Sequence, residues 1–412
     1  MIKSATETDV GMDSLSQPAR ANLGAVVMGG DYRALALTRS LGRHGINVWV
    51  INQSEQRLAG ISRYARRTLF YPSWDDENGV NYLLEIGRRY SLNGWLLFPT
   101  SDDSVVVAST HREQLSKLFQ ITVPPWDTLK WACDKRLMHQ LADTVGVDHP
   151  RTFYPHSRGD LQSLELEFPL ILKPASREHF NRLTVDKAWR VDDLETLLAR
   201  YDEACKLMPS EMLMVQEVIP GGGETQFSYA GVYKDGRPLA SLVARRTRQI
   251  PMDFGRASTF VETVEDPGVV GPAVSVLQAI RFTGLAEVEF KRDPRNGQFK
   301  LIDINPRVWG WYSLCGRAGV DFGYLLWLLL QDKPIPFVHA CSGERWMRMS
   351  TDFLTSLPEI CSGRMSVRDY LRSLVGPKES AIFASDDPWP GLLEIPMLFY
   401  TFSMRILQGR RI

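Results

Sequence analysis

The sequence predicts an α/β protein of two or three lobes, with a parallel sheet in the first lobe and antiparallel hairpins later in the chain. Its 412 residues exceed what one hydrophobic core usually organises. Residues 24–52 follow the order strand, glycine turn, helix, strand, which is typical of a parallel sheet covered on both faces. Two pairs of apolar runs between residues 227 and 304 flank glycine-containing turns and predict hairpins.

The first lobe is predicted to span residues 21–125. A short apolar run from Gly24 ends at the pair Gly29-Gly30, and apolar side chains at helical spacing follow as far as Leu41. The glycine pair lacks the full spacing of a dinucleotide-binding turn. It indicates either a phosphate-binding turn or an ordinary strand-to-helix turn near the substrate, because loops after parallel strands face the ligand crevice. Pro124-Pro125 ends the lobe.

The part of the chain after this lobe begins with a single predicted helix from Trp126 to Val145, for which Gly146 is placed as a C-cap. Residues 150–220 alternate short strands and helices, and they include the strand-like run 168–174. The predicted hairpin strands are residues 227–233 with 239–244, and residues 286–292 with 299–304.

Composition narrows the classes of function. The 48 basic and 48 acidic side chains cancel, which argues against a general nucleic-acid-binding protein. The five cysteines are odd in number and form no Cys-x-x-Cys pair, so we expect neither zinc nor a disulfide framework, and a cytoplasmic location is the simplest interpretation. Residues 1–20 are polar and are expected to form a flexible tail rather than a signal peptide. No apolar run reaches the length of a membrane-spanning helix.

The strongest functional signal lies in the second hairpin, between Glu287–Phe290 and Leu301–Arg307. Alternate residues of a strand share a face, and a tight turn lets the two faces meet. The converging side chains are Glu289, Asp303, Asn305 and Arg307. Carboxylate and amide oxygens are the ligands that magnesium prefers, and a guanidinium neutralises phosphate. The alternative is an exposed hairpin with a solvated charged face.

Two lysines and a glycine-rich bend supply further signals. Lys135 opens a helix after Asp134, and Lys173 closes an apolar strand. Two such cations could grip a triphosphate, although either lysine alone is more often a surface residue. Gln216–Glu224 is a strand that runs into three glycines, and it is either a hinge whose backbone binds an adenine edge or an ordinary loop between subdomains.

The order of these signals resembles the ATP-grasp superfamily, in particular the branch with the carbamoyl-phosphate synthase large chain and biotin carboxylase. The resemblance covers roughly residues 20–330 and depends most on the Glu-Val-Glu-Phe and Asp-Ile-Asn-Pro-Arg pair. It implies that ATP is bound between two α+β subdomains within residues 126–330, with a lid subdomain at about 150–220. Residues 331–412 are then expected to form a C-terminal helical extension.

The resemblance also implies roles for individual residues. The nucleotide-binding residues would be Lys135, Lys173, Gln216, Glu217, Val218, Ile219 and Glu224, with Glu224 on the ribose. One or two Mg²⁺ ions, or Mn²⁺, would be held by Glu289, Asp303 and Asn305. The catalytic residues would be Arg307, Lys173 and Arg256. The family usually has Glu where this chain has Asp303, and the loop after Lys173 is often glycine-rich, whereas residues 175–181 contain no glycine. Glu287 is expected to lie behind the metal ligands.

Several other residues have open interpretations. Four arginines between residues 245 and 256 are candidates for an acidic substrate or an acyl phosphate; they are Arg245, Arg246, Arg248 and Arg256. A solvated basic loop is the alternative for each of them. The histidines His139, His149, His156 and His179 lack metal-ligand spacing and are expected at the surface or at helix caps. Trp309 and Trp311 either line the substrate cleft or pack in the core.

The function implied by the resemblance is that of a carboxylate–amine ligase. ATP would phosphorylate a carboxylate, and an amine would displace the phosphate, so that ADP and phosphate are released. The alternatives are activation of a small carboxylate, as in the carboxylases, and a non-catalytic nucleotide-binding regulatory protein. The apolar stretch within residues 390–411 is expected to dock on the core, with a membrane surface or a partner subunit, including a homodimer, as the alternative.

Overall fold

The computed structural model of the protein describes residues 23–53, 57–71, 74, 78–175, 188–252, 255 and 257–397. Their strands form three sheets of five, seven and four strands. The predicted α/β class with a parallel sheet in the first lobe is confirmed. The predicted tail at residues 1–20 and the predicted roles of Arg256 and His179 fall outside the described residues.

The first lobe is a parallel sheet with the strand order β3-β2-β1-β4-β5. Its strands are β1 (Ala25–Met28), β2 (Val48–Asn52), β3 (Ala65–Phe70), β4 (Trp95–Pro99) and β5 (Phe119–Ile121). Its helices are α1 (Tyr32–Arg43), α2 (Leu58–Ile61), α3 (Asn78–Arg89), α4 (Asp102–Thr110) and α5 (Arg112–Leu115). The strand order reverses between β1 and β4, and such a switch point is where parallel sheets bind ligands.

A connecting pair of helices replaces the single helix predicted from Trp126 to Val145. The chain forms α6 (Trp126–Cys133) and α7 (Lys135–Val145), and Asp134 between them has an extended backbone. The Asp134 side chain accepts a hydrogen bond from the Arg136 backbone N–H, as an N-cap residue does. The break sets Lys135 at the start of a new helix, and Gly146 ends that helix in the left-handed conformation, as predicted.

The four-stranded sheet lies within the range predicted for the lid, and its strand order is β6-β9-β7-β8. Its strands are β6 (Thr152–Phe153), β7 (Leu170–Pro174), β8 (Trp189–Val191) and β9 (Leu213–Glu217), and its helices are α8 (Arg158–Ser163) and α9 (Leu194–Cys205). The helices bury Leu161, Leu197 and Tyr201 against this sheet, so the lid has a hydrophobic core of its own.

The seven-stranded sheet has the order β14-β13-β10-β11-β12-β15-β16 and carries both predicted hairpins. Its strands are β10 (Gln226–Lys234), β11 (Arg237–Ile250), β12 (Ala257–Val264), β13 (Gly284–Arg292), β14 (Phe299–Asn305), β15 (Arg345–Met347) and β16 (Glu379–Ser380). The helices that accompany it are α10 (Val270–Ala279), α11 (Ser313–Arg317), α12 (Phe322–Leu330), α13 (Met349–Cys361) and α14 (Val367–Leu374).

The C-terminal part of the chain is only partly helical, because β15 and β16 extend the seven-stranded sheet. Asp387 anchors it to the first lobe by accepting hydrogen bonds from Arg39 Nε at 2.9 Å and Ser62 Oγ at 2.6 Å. Residues 389–397 are helical, and Leu392 and Ile395 on this helix are exposed. The predicted membrane or docking stretch is therefore described only as far as residue 397. Among the described residues, no helix combines the length and apolar character that crossing a bilayer requires.

Candidate active site

The metal-binding hairpin predicted from the sequence has the expected register. Glu289 on β13 lies directly opposite Asp303 on β14, and Glu287 lies opposite Asn305. All four side chains line one cavity of about 300 Å³ between the seven-stranded sheet and the first lobe. Cross-strand neighbours on one face are close enough for their side chains to act together, so the hairpin brings three carboxylates and an amide to a single wall.

Glu287 fixes the orientation of the Asn305 amide. The Asn305 Nδ2 donates to Glu289 Oε1 at 2.7 Å and to Glu287 Oε2 at 3.1 Å. Two carboxylates can accept only from the amide nitrogen, so the amide oxygen is turned the other way. The Trp311 Nε1 donates to the second Glu287 oxygen at 2.8 Å. Burial, reinforced by the neighbouring charge of Glu289, raises the pKa of Glu287 to about 7.

The two predicted phosphate-binding lysines are both buried. Lys135 Nζ lies 2.9 Å from Asp303 Oδ1, so the first lysine touches the predicted metal wall. Lys173 Nζ donates to Gln216 Oε1 at 2.7 Å, and Gln216 Nε2 in turn donates to Thr152 Oγ1 at 2.8 Å. Because Gln216 is held from both sides, it fixes the Lys173 ammonium at the end of β7.

A second cavity of about 340 Å³ lies between the lid and the seven-stranded sheet. It is lined by the predicted hinge and by members of the two other predicted sets: Gln216, Glu217, Val218, Ile219, Lys173 and Glu289. The N–H groups of Glu217 and Val218 donate to backbone carbonyls of the lid. Among the described residues the Ile219 N–H has no such acceptor, so it is the hinge donor that an adenine edge would meet.

Two hinge carboxylates are placed differently from each other. The Glu217 side chain accepts from Lys300 at 2.6 Å and Arg295 at 3.0 Å. Burial alone would raise the pKa of Glu217, but these hydrogen bonds and that from the Arg151 N–H lower it overall. The exposed Glu224 carboxylate accepts from the Gly222 N–H at 2.9 Å and does not line the cavity. Its predicted contact with ribose stays a prediction.

Arg307 connects the hairpin to the first lobe. Its Nε and Nη2 donate to the two Asp102 oxygens at 2.8 and 3.0 Å, and its Nη2 lies 3.4 Å from Asn305 Oδ1. Asp102 is the first residue of α4, which follows β4 at the switch point of the parallel sheet. The first lobe therefore supplies one wall of the cavity that holds the predicted metal ligands.

Comparison with known proteins supports the fold described above. The chain is 24% identical to the D-aspartate ligase of Enterococcus faecium over 309 residues, which are 68% of this chain and 70% of that protein. The L-amino acid ligase of Bacillus licheniformis has a TM-score of 0.59 and 16% identity, over 76% of this chain and 75% of that one. The biotin carboxylase domain of Hydrogenobacter thermophilus 2-oxoglutarate carboxylase has a TM-score of 0.61 and 13% identity, over 78% of this chain and 73% of that one. No model of a known protein family matches the chain.

The chain has the ATP-grasp fold. The resemblance predicted from the sequence is thereby confirmed, and with it the order of a parallel-sheet lobe followed by the two sheets that enclose the 340 Å³ cavity. The loop that follows Lys173 in this ATP-grasp chain falls on residues 176–187, outside the described residues.

The ATP-grasp sheet separates the candidate arginines. Arg246 lines both cavities, with its Nη2 3.3 Å from Glu289 Oε1. Arg245 points to the opposite face and pairs with Glu262. Arg248 would share the face of Arg246 by simple alternation, but the pairing register shifts between them. Arg248 instead forms a buried ion pair with Asp352 of α13. Of these three arginines, only Arg246 faces the site.

The sequence did not single out the residues that the first lobe contributes. Tyr32, Arg33 and Asp102 line the 300 Å³ cavity from the starts of α1 and α4. Their position in the sequence could have indicated them, because they follow two predicted parallel strands and ligand contacts concentrate after such strands. The sequence did not decide whether Trp311 lines the cleft or packs in the core. Trp311 does both, because it is buried and also lines the 300 Å³ cavity.

The expectation of a surface or capping position is wrong for His139. Its side chain is buried, stacks on His149 with ring centroids 4.3 Å apart, and lies 2.7 Å from the Tyr154 hydroxyl. Burial, together with the neighbouring His149 ring and the charges of Lys135 and Lys173, lowers the pKa of His139 to about 2. A neutral ring at this place keeps a third charge away from the two lysines.

The donor set fits a hard divalent cation. Glu289 and Asp303 supply carboxylate oxygens, and the hydrogen bonds of Asn305 turn its amide oxygen away from both glutamates. Cations already lie against both carboxylates, namely Arg246 on Glu289 and Lys135 on Asp303. Such a wall of oxygens next to phosphate-binding cations suits Mg²⁺ better than a soft metal. Among the described residues, no three His, Cys, Asp or Glu side chains gather at a metal site, so the amide is needed to complete the set.

Proposed function

We propose that the protein is an ATP-dependent carboxylate–amine ligase that forms an acyl phosphate and releases ADP and phosphate. The observation that carries this proposal is the wall formed by Glu289 and Asp303. Glu289 lines both the hinge cavity and the 300 Å³ cavity, so a γ-phosphoryl group at this wall would face a second substrate. Transfer between two bound groups is mainly a matter of position and charge, which this arrangement supplies.

Each residue of the site has a distinct task in this reaction. Lys135 and Lys173 bind the phosphates, and the Ile219 N–H orients the base. Mg²⁺, held by Glu289, Asp303 and Asn305, would neutralise phosphate charge. Arg246 and Arg307 stand on the side of the acid and stabilise the negative charge that develops as its carboxylate attacks the phosphoryl group.

The amine then attacks the acyl carbon, the bond to phosphate breaks, and the amine nitrogen loses a proton.

The named relatives support an amino acid as one of the two substrates, since they are a D-aspartate ligase and an L-amino acid ligase. Activation of a small carboxylate is the second candidate, because the carboxylase-domain neighbour was solved with MgADP and bicarbonate. The proposed location is cytoplasmic, and no disulfide joins any two of the five cysteines, all of which lie among the described residues.

The decisive experiment is an assay of ADP release with ATP, Mg²⁺ and pools of amino acids and other small acids. Ligation predicts ADP release that requires both an acid and an amine, together with a product whose mass is their sum minus water. ADP release with bicarbonate and no amine would favour carboxylate activation. AMP and pyrophosphate as products would rule out the acyl-phosphate route. ATP binding without turnover on any pair would favour a regulatory protein.

A further inference from the structure

We propose that Arg33, held in place by Asp31, is the anchor for an anionic group of the substrate, a carboxylate in addition to the group that reacts. This inference rests on the proposed ligase function, because it assigns a substrate contact within the same site. It concerns the wall of the 300 Å³ cavity that the first lobe provides, opposite the metal hairpin.

Hydrogen bonds to the neighbouring Asp31 hold the Arg33 side chain in place. The Asp31 Oδ1 accepts from the backbone N–H groups of Arg33 at 2.9 Å and Ala34 at 3.1 Å, which caps α1. The Asp31 Oδ2 accepts from the Arg33 Nε at 2.6 Å. The Asp31 carboxylate thus caps the N-terminus of α1 and also fixes the plane of the Arg33 guanidinium group. The side chain of Asp31 is 12% exposed and that of Arg33 is 21% exposed, so the arrangement is partly shielded from solvent.

Arg33 keeps both terminal nitrogens open, whereas the terminal nitrogens of Arg307 and Arg246 lie against protein acceptors. Arg307 uses two nitrogens on Asp102 and a third on the Val308 carbonyl. Arg246 lies against Glu289. Among the described residues, the terminal nitrogens Nη1 and Nη2 of Arg33 make no hydrogen bond, and the residue lines the cavity. A fixed guanidinium with an open edge matches a planar carboxylate with two parallel hydrogen bonds.

The position and size of the cavity limit what Arg33 can bind. Arg33 lies in the first turn of α1, the helix that follows β1 at the switch point where parallel sheets meet their ligands. A volume of about 300 Å³ is at the small end of ligand sites and suits a molecule of amino-acid size. Arg307 and the metal wall take the reacting carboxylate, so Arg33 is left for a second anion. That anion belongs either to the amine substrate, as in an amino acid, or to a dicarboxylic acid.

The test compares Arg33→Met and Arg33→Lys with the control Arg88→Met, which alters an exposed arginine in the last turn of α3. With the substrate pair found in the ADP assay, Arg33→Met should raise KM for one substrate by roughly 10- to 100-fold, since hydrogen bonds to a charged group are lost. KM for ATP should change less than about twofold, and Arg33→Lys should recover only part of the loss. The matched analogues are the decarboxylated amine and the monocarboxylic acid. Whichever substrate Arg33 holds, its analogue should react poorly with wild type and equally poorly with Arg33→Met.

Two results would overturn the Arg33 assignment. One is that Arg33→Met raises KM for ATP as much as KM for the other substrate. The other is that the wild-type enzyme uses both analogues as well as it uses the parent substrates. A separate measurement covers failure of the ligase function itself. Titration calorimetry with aspartate, glutamate, alanine and succinate should show binding to wild type and to Arg88→Met, weakened at least tenfold by Arg33→Met. Binding without turnover would contradict the ligase proposal and leave the Arg33 site standing, whereas no binding of any of these acids would contradict the Arg33 site.

Discussion

Lys135 Nζ and Asp303 Oδ1 are 2.9 Å apart although 168 residues separate them in the chain. The first residue of α7 thereby contacts the carboxylate that lies opposite Glu289. Both side chains are at least nine-tenths buried. This contact places a predicted phosphate-binding lysine against a predicted metal ligand.

The first prediction concerns the charge of Asp303. In Asp303→Asn, the loss of one metal-binding charge with little change in shape should lower kcat by roughly 100-fold or more. The Mg²⁺ concentration for half-maximal ADP release should rise. Steady-state assays across a Mg²⁺ titration measure both. The control is Asp235→Asn in the turn between β10 and β11, where the carboxylate is exposed and faces Arg281. A variant at Asp303 with wild-type turnover would contradict the metal assignment.

The second prediction separates two neighbouring arginines. Arg246→Met should lower kcat by roughly 100-fold, because it removes a cation from the wall shared by both cavities. Arg245→Met is the matched control, since that side chain pairs with Glu262 on the other face. We expect its kcat and KM values to stay within about twofold of wild type, as for a partly exposed ion pair. Similar losses in both variants would show that strand β11, rather than one side chain, is sensitive.

The third prediction concerns the buried ion pair between Arg248 and Asp352, which attaches α13 to β11. Two hydrogen bonds of 2.8 and 2.9 Å join them, and the Asp352 side chain has no exposed surface. Asp352→Ala leaves a buried guanidinium unpaired and should lower the free energy of unfolding by about 3–5 kcal/mol. The double variant Arg248→Met with Asp352→Leu should regain most of that loss.

Urea unfolding followed by circular dichroism measures these differences. The exposed pair Arg372 and Asp369 provides the control, and Asp369→Ala should cost less than about 1 kcal/mol. If Asp352→Ala is as stable as Asp369→Ala, the C-terminal part of the chain is not held by this ion pair.

The fourth prediction is a pH dependence of stability that comes from His139. Its pKa is lowered to about 2 in the folded protein by burial and by neighbouring cations, whereas an unfolded histidine titrates near about 6.5. The unfolded chain therefore binds the proton first as pH falls. The stabilising contribution is complete above pH about 6.5 and is lost progressively on acidification toward the folded pKa.

His139→Gln removes this titration and keeps a polar group near Tyr154. Between pH 6.5 and 5, the wild type should lose roughly 2 kcal/mol more unfolding free energy than the variant, at about 1.4 kcal/mol per pH unit. Urea titrations at several pH values measure the difference, with the exposed His156→Gln as the control. Parallel pH curves for wild type and His139→Gln would contradict a neutral, buried His139.

The strand pairing of the β13–β14 hairpin was predictable from the sequence for a physical reason. Glu289, Asp303 and Asn305 lie on adjacent strands joined by a short turn, so strand alternation and turn geometry suffice to bring them together. The parallel sheet of the first lobe was predictable in the same way, from a local run of strand, glycine and helix. Local patterns were less reliable for α6 and α7, where Asp134 prefers to cap a helix rather than continue one.

The sequence by itself determined the ATP-grasp fold and singled out most of the predicted hinge residues that line the 340 Å³ cavity, because those features depend on order and spacing along the chain. Only the tertiary structure decided which arginine lines the two cavities, since a register shift in β11 turns Arg248 away from Arg246. It also revealed Arg33 and Asp102, which approach the hairpin from another lobe. Contacts between residues so far apart follow from the packing of lobes and leave no periodic signal in the sequence.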